Sequence, residues 1–284
     1  MSNTPFGRIG FIGFGKMAGS IVDALASVDA LAPSTGREPF QFISRSTESR
    51  RRGVERGGSD CSDSPERLFQ RTDIVVIAVT PQDLDGLHAL FSRRPAGGEL
   101  EPGPVIVTLL AGISTDRIRA LTGSERVCRM IPNIAAAKRR SLVGICFADS
   151  ADDECRQRAL ALAAELGTPL PIAERLMPAA TGIGGSGLAF AFRFAHALAL
   201  GGVAEGMTYD QALRAAAAVL DGAAAMLLDG GHPAQLETAV ASPGGTTIEG
   251  LQRLEEDGFN AALIHAVRAA SKKARSFEAD LTDD

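Results

Sequence analysis

The sequence predicts two domains: an α/β domain with a mainly parallel, doubly wound sheet over residues 1–170, and an all-α domain over residues 171–284. Short apolar runs alternate with helical patterns up to about residue 165, which is typical of a parallel sheet with helices on both faces. The remainder is Ala-rich and helical, with no convincing strand. A length of 284 residues also suits two domains, at ~150 residues each.

The predicted strands are short and almost wholly apolar. They cover residues 8–12, 40–44, 73–79, 105–110, 127–131 and 142–147. The run DIVVIAV at 73–79 is rich in β-branched residues and does not alternate with polar ones, so we expect a central strand buried on both faces. Helical patterns lie between the strands, at residues 16–27, 83–91, 115–121 and 153–166.

The central helices of the second domain are apolar nearly all round. Breaks between them are predicted at residues 182–187, 201–208, 230–233 and 242–245. A helix without a polar face must be buried on all sides, and a small bundle cannot do that alone, so we expect burial against a partner subunit, most simply in a homodimer. Packing within a monomer is the alternative. The stretch 188–204 contains Arg193 and His196 and falls short of the ~20 apolar residues of a membrane span, so it predicts a buried helix.

Composition argues against several classes of partner. Lys and Arg number 29 against 34 Asp and Glu, and only 5% of residues are aromatic, which disfavours nucleic-acid binding. The four cysteines form no C-x-x-C pair and no zinc spacing, so buried, reduced thiols in a cytoplasmic protein are expected, with no bound metal. The first residues lack the pattern of a signal peptide, and no membrane association is expected.

A glycine-rich turn follows the first predicted strand and opens the first helix. Gly13, Gly15 and Ala18 form a G-x-G-x-x-A pattern, which in this context is typical of a Rossmann-like dinucleotide site. Gly13 would permit the tight turn, Gly15 would let a diphosphate approach the backbone, and Ala18 would let the helix pack on the strand. Free N–H groups at the helix start would bind phosphate oxygens. A tight turn without a ligand is the alternative.

The end of the second strand indicates which dinucleotide binds. An NAD site usually places Asp or Glu there, whereas this chain has Ser44-Arg45-Ser46, followed by the basic run 50–52. Arginine and hydroxyl groups would bind a 2′-phosphate, so the sequence predicts NADP(H). A solvated basic run is the alternative.

A second constellation lies in the helical domain. Residues 242–247 have the sequence SPGGTT, in which proline and paired glycines make a tight turn and two threonines begin a helix. A helix N-terminus offers unsatisfied N–H donors and a partial positive charge, which suits a carboxylate. A capped turn without a ligand role is equally compatible with the composition.

With both motifs in view, the chain resembles the pyrroline-5-carboxylate reductase family along nearly its whole length. The resemblance lies in the segments IGFIGFGKMAGSI, VVIAVTPQ, LLAGIST, RMIPN, GSGLAFAF and SPGGTTIEGLQRLEEDGF. It implies a Rossmann domain and a helical domain that intertwines into a dimer, often assembled into decamers. It also implies NADPH-dependent reduction of the cyclic imine Δ1-pyrroline-5-carboxylate to L-proline, the last step of proline biosynthesis. Hydride would attack the C=N carbon, whose protonated nitrogen already makes it electrophilic.

The resemblance also assigns site residues by position. The cofactor diphosphate would lie along Ile12, Gly13, Phe14, Gly15, Lys16 and Met17, and the 2′-phosphate near Ser44, Arg45 and Ser46. The nicotinamide side would be lined by Ala78, Val79, Thr80, Pro81, Ala111, Gly112 and Asn133. Gly245, Thr246 and Thr247 would hold the substrate carboxylate, and the Thr247 hydroxyl would stand near the ring nitrogen as the catalytic group.

Several positions depart from the family pattern. Thr80 stands where the family usually has Lys, Pro65 replaces an Asn, Leu188 and Phe190 replace Pro and Tyr, and residues 134–140 replace Thr-Pro. These changes cluster near the cofactor and the pocket. Two alternatives therefore stay open: a reductase of a different imine or keto acid, and a non-catalytic NADP-binding homologue.

Overall fold

The computed structural model describes residues 4–28, 31, 39–80, 83–91 and 103–279. Two compact units are present: one comprises Met1–Gly185 with Ser271–Asp284, and the other is Ser186–Ala270. The first unit extends beyond residue 171, where the composition changes. Met177 is buried, and Ala180 packs on Gly144 of the sheet. The boundary at 170/171 therefore stays a prediction from composition.

The first unit is built on one sheet of eight strands. The strands are β1 (Ile9–Ile12), β2 (Gln41–Ile43), β3 (Ser59–Asp60), β4 (Ile74–Ile77), β5 (Val105–Thr108), β6 (Val127–Ile131), β7 (Ser141–Phe147) and β8 (Gly167–Pro171). Their order is β3-β2-β1-β4-β5-β6-β7-β8, with β7 antiparallel to β6 and every other pair parallel. The prediction of a mainly parallel sheet is confirmed.

Two strands were absent from the sequence prediction. β3 consists of two polar residues, Ser59 and Asp60, so it lacks the apolar run by which a strand is predicted. It pairs with β2 at one edge of the sheet. β8 has the sequence GTPLP and lies at the other edge, where a strand tolerates proline because one side of its backbone needs no partner. Both omissions are edge strands, which take their conformation from a neighbour.

Helices connect the strands of this unit. They are α1 (Lys16–Ala26), α2 (Thr47–Glu55), α3 (Glu66–Arg71), α4 (Leu84–Phe91), α5 (Thr115–Thr122), α6 (Asp153–Leu166) and α7 (Met177–Ala180). Short 3₁₀ segments lie at Ile134–Lys138 and Glu174–Leu176, and a π-helical segment at Thr181–Ser186. The basic run 50–52 lies inside α2, where Arg51 pairs with Glu48 and Glu55. Such i,i+3 and i,i+4 pairs stabilise a helix that has little apolar surface.

The core forms two layers, one on each face of the sheet. In β4, Ile74 and Val76 point into one layer while Val75 and Ile77 point into the other, and all four are fully buried. This confirms the prediction of a central strand buried on both faces. The first layer also contains a cluster of aromatic rings, in which Phe14 stacks on Phe40 with ring centroids 5.4 Å apart.

The second unit is helical throughout. Its helices are α8 (Gly187–Ala204), α9 (Tyr209–Leu228), α10 (Pro233–Val240), α11 (Thr246–Glu256) and α12 (Phe259–Ala279), the last of which ends in the first unit. No strand follows Pro171 between residues 172 and 279, as predicted. The predicted break at 182–187 is wrong, because the π-helical segment leads directly into α8. The break at 201–208 is shorter than predicted, since α8 continues through Gly201 and Gly202.

The second unit has almost no core of its own. Among residues 186–270, all of which the structure describes, the buried ones are Ala199, Ala212 and Ala216. Large apolar side chains such as Phe192 and Val219 are each 60% exposed. Two helical stretches, Glu174–Ala204 and Tyr209–Leu228, are long and apolar enough to cross a membrane, by length and composition alone. The burial expected for 188–204 therefore has to come from outside this chain.

Candidate active site

The glycine-rich turn lies at the carboxyl edge of the sheet, between β1 and α1. The strand order places β1 between β2 and β4, so the chain connects from β1 to β2 on one side and returns to β4 on the other. In open parallel sheets, ligands bind outside the carboxyl ends of the strands at such a point of reversal.

Gly13 is required by both conformation and space. Its φ is 86°, a left-handed conformation that side chains disfavour. A β-carbon built on Gly13 would lie 2.7 Å from Val79 Cγ1 and 2.9 Å from the carbonyl oxygen of Ala78. The Gly13 N–H donates to the carbonyl of Ile43 at 2.8 Å. The turn is thereby fixed to both strands that flank β1.

Gly15 faces open space. A β-carbon built there would meet no atom of the described residues within 4 Å, and Gly15 is the N-cap of α1 without a side-chain capping bond. The first N–H groups of α1 therefore have no side-chain acceptor, while Ala18 is buried where the helix meets the core. An uncapped helix start beneath an open glycine fits a dinucleotide diphosphate.

The other residues predicted along the diphosphate contribute differently. Ile12 and Phe14 are buried in opposite core layers, so these two residues can offer a ligand only their backbone. Met17 packs partly against the core, and Lys16 is exposed at the first position of α1.

The structure brings Ser44, Arg45 and Ser46 to the carboxyl end of β2. Ser44 is buried, and its carbonyl accepts hydrogen bonds from Ser62 Oγ at 3.1 Å and Arg50 Nε at 2.9 Å. Ser46 is the N-cap of α2, and its hydroxyl accepts from the backbone N–H of Ser49. The guanidinium of Arg45 is exposed and forms an ion pair with Asp83.

The residues predicted on the nicotinamide side follow β4 and β5, which are neighbours. Ala78, Val79 and Thr80 follow β4, whereas Pro81 lies outside the described residues. Ala111 and Gly112 follow β5. Gly112 has a φ of 79°, and a β-carbon there would lie 2.8 Å from the Phe277 carbonyl carbon. The end of α12 therefore packs directly on the loop after β5, a contact that sequence analysis missed.

Asn133 fixes the backbone after β6. Its side-chain oxygen accepts from the N–H of Ala135 at 2.9 Å, and its amide nitrogen donates to the carbonyl of Gly184 at 2.7 Å. Its own N–H donates to Ser141 Oγ at 2.9 Å. The side chain thus connects this turn to the π-helical segment.

Glu174 is a second residue that sequence analysis missed. Its carboxylate accepts from the backbone N–H of Thr115 at 2.8 Å and from the Thr115 hydroxyl at 2.7 Å, and it lies 3.6 Å from a guanidinium nitrogen of Arg129. The start of α5 and the segment after β8 are tied together by this carboxylate. The two residues are 59 positions apart, so no local pattern indicates the contact.

The SPGGTT turn ends in a second helix start without a side-chain cap. Gly244 has a φ of 67°, and the Gly245 N–H donates to the carbonyl of Ser242 at 3.0 Å. Gly245 is the N-cap of α11, so Thr246 and Thr247 occupy its first two positions. Within the described part of the chain, neither threonine hydroxyl has a hydrogen-bond partner. Free N–H groups, free hydroxyls and the helix dipole together suit an anion.

The cysteine thiols are buried. All four cysteines lie outside any disulfide, as predicted, and burial raises the pKa of Cys128 well above its ordinary value and that of Cys155 to about 11. His196 Nδ1 lies 2.9 Å from the hydroxyl of Tyr209, which is a contact between neighbouring helices. No group of three or more potential metal ligands occurs among the described residues.

A parallel α/β unit with an open glycine turn, a basic group after β2 and a separate helical unit defines a class: the nicotinamide-dinucleotide-dependent oxidoreductases with a helical C-terminal domain. Two family models match this chain. Residues 8–111 match the family described as NADP oxidoreductase, coenzyme F420-dependent, and residues 174–277 match pyrroline-5-carboxylate reductase dimerisation.

Full-length relatives identify the family. A pyrroline-5-carboxylate reductase of Methanosarcina acetivorans is 34% identical over 94% of this chain and 97% of its own. One of Aquifex aeolicus is 33% identical over 94% of this chain and 96% of its own. The chain therefore belongs to the pyrroline-5-carboxylate reductase family.

Solved structures agree on the fold. A pyrroline-5-carboxylate reductase from Streptococcus pyogenes covers 95% of this chain with a TM-score of 0.76 and 27% identity, and the match covers 98% of that chain. A Plasmodium falciparum pyrroline carboxylate reductase, solved with NADP bound, covers 98% of this chain and 99% of its own with a TM-score of 0.79 and 23% identity. The match to a dimerisation model over α8–α12 explains why those helices expose apolar surface: the protein forms homo-oligomers.

Proposed function

We propose that this chain reduces Δ1-pyrroline-5-carboxylate to L-proline with NADPH, using the SPGGTT turn to hold the substrate carboxylate. The observation that carries the proposal is the start of α11, where the N–H groups and hydroxyls of Thr246 and Thr247 have no hydrogen-bond partner among the described residues. Full-length relatives that share this chain's organisation bear the name of that activity. Proline biosynthesis is the pathway this reaction completes.

The chain's own residues have two tasks toward the substrate: to bind its carboxylate and to orient its imine nitrogen. NADPH, when bound, supplies the hydride that reduces the C=N bond. The N–H groups at Thr246 and Thr247, with Gly245 as N-cap, bind the carboxylate, and the Thr247 hydroxyl orients the imine nitrogen. Because a protonated imine is already electrophilic, the reaction needs no strong protein acid. This agrees with a site assigned no His and no carboxylate dyad.

The cofactor site combines the turn 12–17, the segment 44–46 and the loops after β4, β5 and β6. The start of α1 would hold the diphosphate, and Arg45 with the two serines would bind the 2′-phosphate. Of the described residues, Ala78, Val79, Thr80, Ala111, Gly112 and Asn133 would line the nicotinamide side. The domains proposed for these roles are residues 1–170 for NADP(H) and 171–284 for substrate and dimerisation.

The assembled enzyme is a homodimer, and further association into decamers belongs to the same proposal. The apolar faces of α8 and α9 are subunit contacts in it rather than membrane spans, in keeping with the dimerisation match over 174–277. Four buried thiols outside any disulfide suit the reducing cytoplasm, and the acidic balance of charge disfavours a nucleic-acid partner.

The test is NADPH oxidation by the purified chain with a panel of substrates. Pyrroline-5-carboxylate, a six-membered cyclic imine carboxylate and an open-chain keto acid are compared at equal concentration, with NADH as the second cofactor. We expect the highest kcat/KM for pyrroline-5-carboxylate with NADPH. A higher value for another substrate would favour a reductase of a different imine or keto acid. Tight NADPH binding without turnover of any substrate would favour a non-catalytic homologue.

A further inference from the structure

An ion pair spans the carboxyl edge of the sheet beside the glycine-rich turn. Arg45, two residues after β2, pairs with Asp83, which precedes α4. The strands that lead to these residues, β2 and β4, are not neighbours, because β1 lies between them. With strands ~4.8 Å apart, β2 and β4 are separated by ~10 Å, so the pair links the loops that follow two strands that are not neighbours.

The two partners differ in freedom. Asp83 Oδ2 accepts from the Thr80 hydroxyl at 3.1 Å and from the Thr80 N–H at 3.3 Å, and the Asp83 N–H donates back to the Thr80 carbonyl at 2.9 Å. The side chain of Asp83 is 22% exposed, while that of Arg45 is 77% exposed. The carboxylate is therefore held in place on the β4 side, and the arginine reaches across to it.

The neighbouring arginines are engaged elsewhere. Arg51 pairs with Glu48 and Glu55 along α2. Arg52 donates to Ser49 Oγ at 3.0 Å, and Arg50 donates to the carbonyl of Ser44 at 2.9 Å. Arg45 is thus the member of this basic segment whose guanidinium pairs with an acid of the loop after β4, and that acid is Asp83.

We propose that Asp83 is a specificity-determining residue that competes with the 2′-phosphate of NADP(H) for Arg45. In the free protein the guanidinium of Arg45 binds Asp83, and this ion pair is lost when the guanidinium turns to the phosphate. In the complex, the Asp83 carboxylate also repels the phosphate, because both carry negative charge. Both effects weaken binding of a 2′-phosphate and leave a dinucleotide without one unaffected. Asp83 therefore lowers the ratio of NADPH affinity to NADH affinity, which Arg45 raises.

The test uses nucleotides that lack the nicotinamide, so it does not depend on turnover. Dissociation constants of 2′,5′-ADP and 5′-AMP are measured by calorimetry for the unmodified protein, Asp83→Asn, Arg45→Gln and the double variant. We expect Asp83→Asn to bind 2′,5′-ADP about fivefold more tightly, as an exposed ion pair allows, with 5′-AMP unchanged. Arg45→Gln should weaken 2′,5′-ADP binding, and Asp83→Asn should give no gain in that background.

A matched control separates the ion pair from the loss of one negative charge. Asp63→Asn removes an exposed carboxylate that faces Arg50 in the same region, and it should leave both affinities unchanged. The proposal is overturned if Asp83→Asn has no effect, tightens both nucleotides alike, gives the same gain without Arg45, or is matched by Asp63→Asn.

The inference rests on the NADP(H) site of the proposed function. Failure of the unmodified protein to bind either nucleotide would overturn that site and this inference with it. Binding of both nucleotides without a response to Asp83→Asn would overturn this inference alone.

Discussion

Gly13 and Gly15 stand two residues apart in one turn, yet they serve different physical requirements. Gly13 has a left-handed φ of 86° and no room for a β-carbon, so the fold itself requires glycine at this position. Gly15 has an ordinary negative φ of −87° and open space beside it, so the fold would accept alanine there. The methyl group of an alanine at this position would occupy the space proposed for the cofactor diphosphate.

We therefore expect Gly13→Ala and Gly15→Ala both to weaken NADPH binding, by at least about tenfold, and to differ in stability. Gly13→Ala should lower the free energy of unfolding by about 1–3 kcal/mol, since it combines a strained φ with a steric clash. Gly15→Ala should leave it within about 0.5 kcal/mol. Urea unfolding and NADPH fluorescence titration measure the two effects. Equal destabilisation by both variants would contradict this division of roles.

Thr247 is the residue on which the proposed chemistry depends most directly. Thr247→Ala keeps the helix and the N–H groups but removes the hydroxyl that would orient the imine nitrogen. We expect kcat/KM for pyrroline-5-carboxylate to fall about 10- to 100-fold, with the NADPH dissociation constant unchanged. Thr247→Ser, which keeps the hydroxyl, should recover most of the activity. Unchanged turnover in the alanine variant would remove Thr247 from the mechanism.

At the scale of elements, β1 and β4 are held together by more than the sheet. Asp73, just before β4, accepts from the Arg8 backbone N–H at 2.7 Å and from its guanidinium at 3.0 and 2.9 Å. Burial alone would raise the pKa of Asp73, but the hydrogen bonds from Arg8 outweigh burial and leave that pKa below its ordinary value. The Arg8–Asp73 contact joins β1 and β4 at their starts. The other ends of these strands lead to the glycine-rich turn and to Ala78.

Because the folded-state pKa of Asp73 is lowered, the stability it contributes is present above the unfolded pKa of ~3.9 and is lost as pH falls through the folded pKa. We expect Asp73→Asn to lower the free energy of unfolding by about 1–2 kcal/mol at pH 7, given the partial exposure of both partners. The difference from the unmodified protein should shrink below pH 4, as urea titrations at several pH values would record. Asp63→Asn, at a side chain that is 94% exposed, should show no such dependence.

The same scale explains which elements could be predicted from sequence. β1, β4 and β5 are apolar on both faces, so each carries its own signal, and Val127–Ile131 agrees with the prediction to the residue. β3 and β8 depend on a neighbouring strand, and α2 on charge pairs, so composition alone could not indicate them. In the site, Gly13 and Gly15 could be predicted because they belong to a local sequence pattern. Asp83 and Phe277 were not, because their contacts join distant parts of the chain.

At the scale of the whole molecule, the two units differ in how they are stabilised. The sheet unit buries two continuous apolar layers, whereas residues 186–270 bury three alanines and expose most of their large apolar side chains. Isolated helices gain most of their stability from packing of an apolar face, so the helices of the second unit need a partner to be stable. The match of 174–277 to a dimerisation model identifies that partner as a second copy.

A charge placed on these helices should therefore act on assembly first. Phe192 on α8 and Val219 on α9 are each 60% exposed in the single chain, and Val54 on α2 of the sheet unit is 56% exposed. Burying an unpaired carboxylate costs several kcal/mol, so Phe192→Glu and Val219→Glu should each raise the dimer dissociation constant by at least about 100-fold. Sedimentation or light scattering would then record monomers at concentrations where the unmodified protein is a homo-oligomer.

The same variants should lower the melting temperature and make it depend on protein concentration, because folding of the helical unit is linked to association. Val54→Glu introduces an identical charge at an equally exposed apolar position and should change neither property, since the sheet unit has its own core. If Phe192→Glu and Val219→Glu both stayed dimeric with an unchanged melting temperature, the exposed faces of α8 and α9 would not be the subunit interface. Their apolar surface would then have to be buried in another way, and both helices are long and apolar enough to cross a membrane by length and composition alone.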